Sequence, residues 1–117
     1  MNIIQVLDKK DMSITLHPMK KIELVVPSEN EHVVAAMIEK ANITGFTLIK
    51  NISGKGHSGF HEGSAIFNDK ESFVMFIAVA PEDAIASIAF GMKTLFQKNS
   101  GVMFVSDVSV ARVDYFS

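Results

Sequence analysis

The sequence predicts a single α+β domain in which two helices cover one face of an antiparallel sheet. Three observations predict it: length and apolar content, the alternation of strand-like and helix-like segments, and one strand that is apolar at nearly every position. The chain has 117 residues, of which 48% are hydrophobic and 21% charged, enough to bury one core and too few for two.

The elements follow in order from Lys20. The run Ile22-Glu23-Leu24-Val25-Val26 is a short β-rich segment stopped by Pro27. Ser28 and Glu31 have capping-box spacing, in which each side chain satisfies a free backbone N–H near the other. The helix they open places Val33, Val34, Met37, Ile38 and Ala41 on one face at a 3.6-residue period, and Gly45 lies beyond its end. Phe46–Ile52 reads as a second strand, and a connection of about twenty residues follows before the third strand, Ser72–Val79. Pro81, Glu82 and Asp83 open a second helix, since proline suits a first turn and carboxylates suit the positive end of the helix dipole. Its apolar face is Ile85, Ile88, Ala89, Met92, Leu95 and Phe96, and Gly101 follows its end. Val102–Val105 is a fourth strand, and Ser109–Phe116 is expected to add a final edge strand.

The order β-α-β-β-α-β is that of a ferredoxin-like sandwich. Two helices cover only one sheet face, yet the third strand (SFVMFIAV) is apolar on both sides. Such a strand is expected where both faces are buried, so the open face calls for a partner, most simply another copy. Residues 1–18, ending at Pro18, read as a peripheral N-terminal arm, and 19–117 as the domain.

Composition narrows the function. Formal net charge is −2, so no basic surface points to nucleic acid. With no cysteine, disulfides, thiol catalysis and Cys-ligated zinc are excluded. The longest apolar stretch, Phe73–Pro81, is far below the ~20 residues of a membrane span, and no segment reads as a signal peptide. A cytoplasmic protein without membrane insertion is expected. The carboxylates form no spaced catalytic pair and no serine has a nucleophile context, so the reading is non-enzymatic.

The long connection is the least ordinary part of the chain. Ser53–Gly63 (SGKGHSGFHEG) holds four of the seven glycines and two of the four histidines. Glycines at alternate positions let successive N–H groups turn toward one anion, and Lys55 and His57 add positive charge. His57, His61 and Glu62 form an alternative, metal-binding set, although the glycines argue against the helix that would align the histidines.

Three segments resemble the PII signal-transduction superfamily across Met19–Phe116. Met19-Lys20-Lys21-Ile22-Glu23 is similar to the family's opening strand, and Gly45-Phe46-Thr47-Leu48 through Gly54-Lys55-Gly56 to its second strand and T-loop base. Ser100-Gly101-Val102-Met103-Phe104-Val105-Ser106 is similar to its B-loop and fourth strand. The resemblance implies a homotrimer that binds adenine nucleotides between subunits and reports them through the T-loop. It implies ligand contacts from Thr47 near the loop base, from Gly54, Lys55, Gly56 and His57 in the loop, and from Ser100, Gly101, Val102, Met103 and Phe104 on the opposite wall. Departures narrow the ligand: Asn99-Ser100-Gly101-Val102 replaces a B-loop that usually carries a phosphate-gripping lysine, and only Arg112 stands near the family's paired arginines. Fewer cations mean fewer charge-assisted bonds to phosphate, which favours AMP, ADP or cyclic AMP over ATP. The loop contains no tyrosine to modify. These features resemble the PII-like branch associated with bicarbonate transporters and carboxysomes, which implies control of a membrane transporter for inorganic carbon, with bicarbonate as a further ligand. The alternative is a metal-responsive PII-like trimer, using His57, His61 and Glu62, linked to cation efflux.

Overall fold

In a computed structural model, residues 4–7, 13–53 and 72–116 are described. Five strands and two helices run in the order β1 (Ile4–Leu7), β2 (Ser13–Pro27), α1 (Glu31–Lys40), β3 (Thr47–Ile52), β4 (Phe73–Ala80), α2 (Glu82–Lys98) and β5 (Val102–Val110). The main sheet is antiparallel, with β4 and β5 flanking β2 and β3 outside β4. Setting aside β1, which pairs with the start of β2, this is the expected βαββαβ arrangement.

The period-2 alternation of the strands builds the core. Ile22, Leu24 and Val26 of β2 and Val74, Phe76, Ala78 and Ala80 of β4 are buried on the helix side. Val34 and Ile38 of α1 and Ile85, Ile88 and Met92 of α2 close over them. Val33, expected on the inner face of α1, is instead 47% exposed, because it stands one position around from the buried Val34–Ile38 line.

Several local features depart from expectation. No capping box forms at α1: Ser28–Asn30 is a 3-10 turn, and the Ser28 hydroxyl bonds the Ser72 hydroxyl at 2.6 Å. Gly45 lies beyond the end of α1, as expected, but the residue that ends the helix comes earlier. Asn42, in the left-handed region at φ 61°, does so through a Schellman pattern: the Asn42 N–H donates to the Glu39 carbonyl and the Ile43 N–H to the Ile38 carbonyl. Ile43 and Ile38 both enter the core, the apolar contact that accompanies this motif. At the end of α2, the Asn99 side chain and backbone N–H both donate to the Leu95 carbonyl.

Strand β2 does not begin after Pro18; it runs back to Ser13, with His17 opposite Val110 and Pro18 opposite Ser109. Proline is tolerated there because β4 has already ended at Ala80, opposite Lys20, so one side of β2 carries no ladder. No separate strand forms over Ser109–Phe116. β5 continues unbroken to Val110, then Arg112 takes a left-handed backbone (φ 57°) and Val113–Tyr115 forms a 3-10 turn.

Lys20 bonds Asp107 of β5 and lies 3.8 Å from Glu82 at the start of α2, joining three elements. Its ammonium is held above the ordinary lysine value, first by the hydrogen bond to Asp107 and then by the charges of Asp107 and Glu82. A cation whose folded-state value is raised contributes stability that is complete below the unfolded value and disappears as pH rises through the folded one. The difference in thermal midpoint between the native chain and Lys20→Met should therefore be small, constant from pH 7 to 9, and shrink above the reference lysine value of 10.5. A difference that already collapses below pH 9 would assign the effect to another group.

Candidate functional site

Strand register places the candidate site residues at two ends of the sheet. At one end lie the last residue of β2 (Pro27), the first of β4 (Phe73), the last of β3 (Ile52) and the first of β5 (Val102). Both described stems of the long connection, Ser53 and Ser72, therefore leave from the same end as Gly101.

Gly101 is fixed there by its backbone. At φ 138° it occupies a region that side chains rarely adopt, and a Cβ added to it would lie 2.6 Å from the Val25 carbonyl oxygen and 3.1 Å from the Phe96 ring. The glycine thus lets the α2–β5 connection press against the end of β2. Ser100 and Gly101 are partly exposed. Val102 and Phe104 share a sheet face with Val25 and Glu23, opposite the helices. Met103 pairs with Leu24 and packs against the core, so it is turned away from that wall.

The stems are held by the turn that precedes α1. The Ser28 N–H donates to the Ser72 carbonyl at 2.9 Å, and Glu31 faces Lys50 of β3 at 3.8 Å. Between Ile49 and Ile52 the β3–β4 register shifts, and Asn51 takes a left-handed backbone at φ 59°. Sequence reasoning assigned Ser28 and Glu31 to a cap and did not find this role. Gly54, Lys55, Gly56, His57, His61 and Glu62 lie outside the described residues. Among the described residues, no group of three His, Cys, Asp or Glu side chains could hold a metal ion.

The other end carries Arg112 and Thr47. Thr47 is the first residue of β3, at the opposite end of that strand from Ile52, and so does not stand at the base of the connection. Arg112 bonds the Tyr115 hydroxyl and stacks 4.0 Å from the centroid of its ring. The Thr44 hydroxyl donates to the Tyr115 carbonyl, which ties the C-terminal turn to the α1–β3 linker just before Thr47. Tyr115 and Thr44 were not anticipated as neighbours of Arg112. No local spacing signals a contact that spans 71 positions.

Between the two ends runs the whole of β5. Its nine residues span about 26 Å, at 3.3 Å per residue, and separate Gly101 from Arg112 at the two ends of the strand. A ligand much shorter than that strand does not reach both of its ends within one chain.

The face opposite the helices is open and largely apolar. One row across it is Ile49–Met75–Val25–Val102, and the next is Thr47–Ile77–Glu23–Phe104. Ile49 of β3 is 41% and Phe104 of β5 54% exposed, and Met75, Ile77 and Val79 of the doubly apolar strand β4 are partly exposed between them, so this face is uncovered on a single chain.

A match to the family model for nitrogen regulatory protein P-II covers residues 19–115. The chain belongs to the P-II family. Solved structures place it among the PII-like proteins. CPII from Thiomonas intermedia K12, in a structure bound to ADP and bicarbonate, is 32% identical with a TM-score of 0.75; the match covers 89% of this chain and 99% of that one. The same protein in a structure bound to ADP, AMP and bicarbonate is 34% identical, with a TM-score of 0.75 and coverage of 88% and 97%. A putative PII-like signaling protein from Thermus thermophilus shares the fold at 17% identity, with a TM-score of 0.70 and coverage of 87% and 98%. No match was found among curated proteins. This PII-like chain is accordingly a signalling protein by family. None of the helices among its described residues is long and apolar enough to cross a membrane.

Proposed function

We propose that this chain is a non-enzymatic sensor that binds a small adenine nucleotide, ADP or AMP with cyclic AMP as a further candidate, together with bicarbonate. Binding takes place in clefts between the copies of a trimer, and the bound state adjusts a membrane transporter for inorganic carbon from the cytoplasmic side. The observation that carries this reading is the separation of Gly101 from Arg112. A ligand that uses both walls needs Ser100, Gly101, Val102 and Phe104 from one copy and Thr47 and Arg112 from the next. The open apolar face supports the association, since burying it against other copies removes apolar surface from water. The ADP, AMP and bicarbonate bound by the similar protein CPII support the ligand class.

Loop residues Gly54, Lys55, Gly56 and His57 complete the proposed site through backbone N–H groups and positive charge. Residues 1–18 are peripheral in this reading, although β2 extends into them. Asn99-Ser100-Gly101-Val102 offers no lysine to a distal phosphate, so a third phosphate gains little.

Calorimetric titration with AMP, ADP, cyclic AMP and ATP, each with and without bicarbonate, tests the reading. AMP or ADP should bind in the micromolar range and ATP at least about tenfold more weakly, the equivalent of about 1.4 kcal/mol. Absence of binding by all four at millimolar concentration would contradict it.

A further inference from the structure

Both stems of the long connection are fastened to one short turn, and that turn continues from the strand that Gly101 abuts. Pro27, the last residue of β2, pairs with Phe73, the first of β4. Beyond them Ser28 adds two bonds to Ser72, from its N–H at 2.9 Å and through its hydroxyl at 2.6 Å. Three residues on, Glu31 meets Lys50 on the other stem at 3.8 Å. Between these contacts the Asn30 side-chain oxygen is buried and finds no hydrogen-bond partner among the described residues. The link back toward Gly101 is stiff, because Val25, Val26 and Pro27 are buried and proline restricts the backbone at the turn's entrance.

We propose that the turn Ser28–Glu31 is a positioning device that braces the two stems, already paired at Ile52 and Phe73, and couples that unit to the wall at Gly101. The coupling to ligand rests on the nucleotide reading above; the bracing of the stems does not. The two clamps differ in strength. The serine pair gives two hydrogen bonds with good geometry, whereas the Glu31–Lys50 pair is long and Lys50 is 61% exposed, which makes it a weak surface ion pair. Ser28 therefore dominates and Glu31 adjusts.

Hydrogen exchange on the full chain, read by mass spectrometry, tests this. Ser28→Ala removes a contact made only to the Ser72 stem. It should nevertheless speed exchange about three- to tenfold in residues 72–75 and also in 49–52, as expected for loss of one hydrogen bond from a cooperative local unit. Glu31→Gln should speed both segments about twofold. Ser28→Thr, which keeps the hydroxyl, should restore both. Exchange in α2 around Ile88 should stay unchanged in all three variants, which separates a local role from general destabilisation. If Ser28→Ala leaves exchange in both segments unchanged, the turn does not brace the stems and the proposal fails.

A second arm adds ADP. In the native chain ADP should slow exchange in both stems; in Ser28→Ala it should still bind calorimetrically but slow neither. Equal slowing in Ser28→Ala would overturn the link to Gly101. If the native chain binds no ADP, the nucleotide reading falls, while the ligand-free comparison still decides whether the turn braces the stems.

Discussion

Gly101→Ala should destabilise the chain by about 3 kcal/mol and lower its thermal midpoint by at least about 10 °C, the combined result of a disfavoured backbone region and a steric overlap. The new Cβ would meet a backbone oxygen, that of Val25, at 2.6 Å, and Val25 is only 6% exposed. That oxygen is not the free end of a flexible side chain, so relief requires moving the start of β5 or the end of β2. Val102 and Val25 are paired, so this movement reaches the proposed ligand wall, and ADP affinity should fall at least about tenfold. Gly45→Ala is the matched control. Nothing lies within 4 Å of its added Cβ and its backbone is unremarkable, so its stability should stay within about 0.5 kcal/mol of the native value. Equal effects of the two substitutions, measured by thermal unfolding, would remove the special status of Gly101.

The second large effect concerns the open face. In the proposed trimer, Ile77→Asp should convert the assembly from three chain masses to one in light scattering, with the helix content unchanged. Ile77 stands beside Glu23 in the row that also holds Thr47 and Phe104. A new carboxylate there sits directly opposite another across the strands, and an interface would have to bury both. Three copies meeting at one axis would repeat the penalty three times. The lone chain escapes it, because Ile77 is only partly buried and the core lies on the other side of the sheet. A trimer that survives Ile77→Asp would show that the copies meet elsewhere.

Much of the fold was legible because it rests on local patterns. The 3.6-residue spacing found Ile85, Ile88 and Met92, and strand alternation found Ile22, Leu24 and Val26, all buried in the structure. The third strand's apolar character on both faces also translated directly into an uncovered surface. What the sequence did not reveal depends on contacts between distant residues. The pattern Ser28-x-x-Glu31 satisfies every local requirement of a capping box, yet Ser72, 44 positions away, captures the hydroxyl. Asn42 was overlooked as the end of α1 because the glycine three residues later is the commoner signal. The tie of Arg112 to Tyr115 and of Tyr115 to Thr44 depends on a left-handed residue after β5, which no periodicity announces. The candidate site was thus partly readable: the position of Gly101 at the end of the sheet came from a motif, whereas the Ser28–Ser72 contact follows from packing alone.

The central claim is that the ligand lies between copies, with Gly101 from one and Arg112 from the next. Native mass spectrometry of the native chain and of Ile77→Asp, at the same saturating ADP concentration, tests it most directly. The account predicts a native trimer carrying up to three ADP molecules and an Ile77→Asp monomer carrying none. A folded monomer that retains one ADP per chain would contradict it.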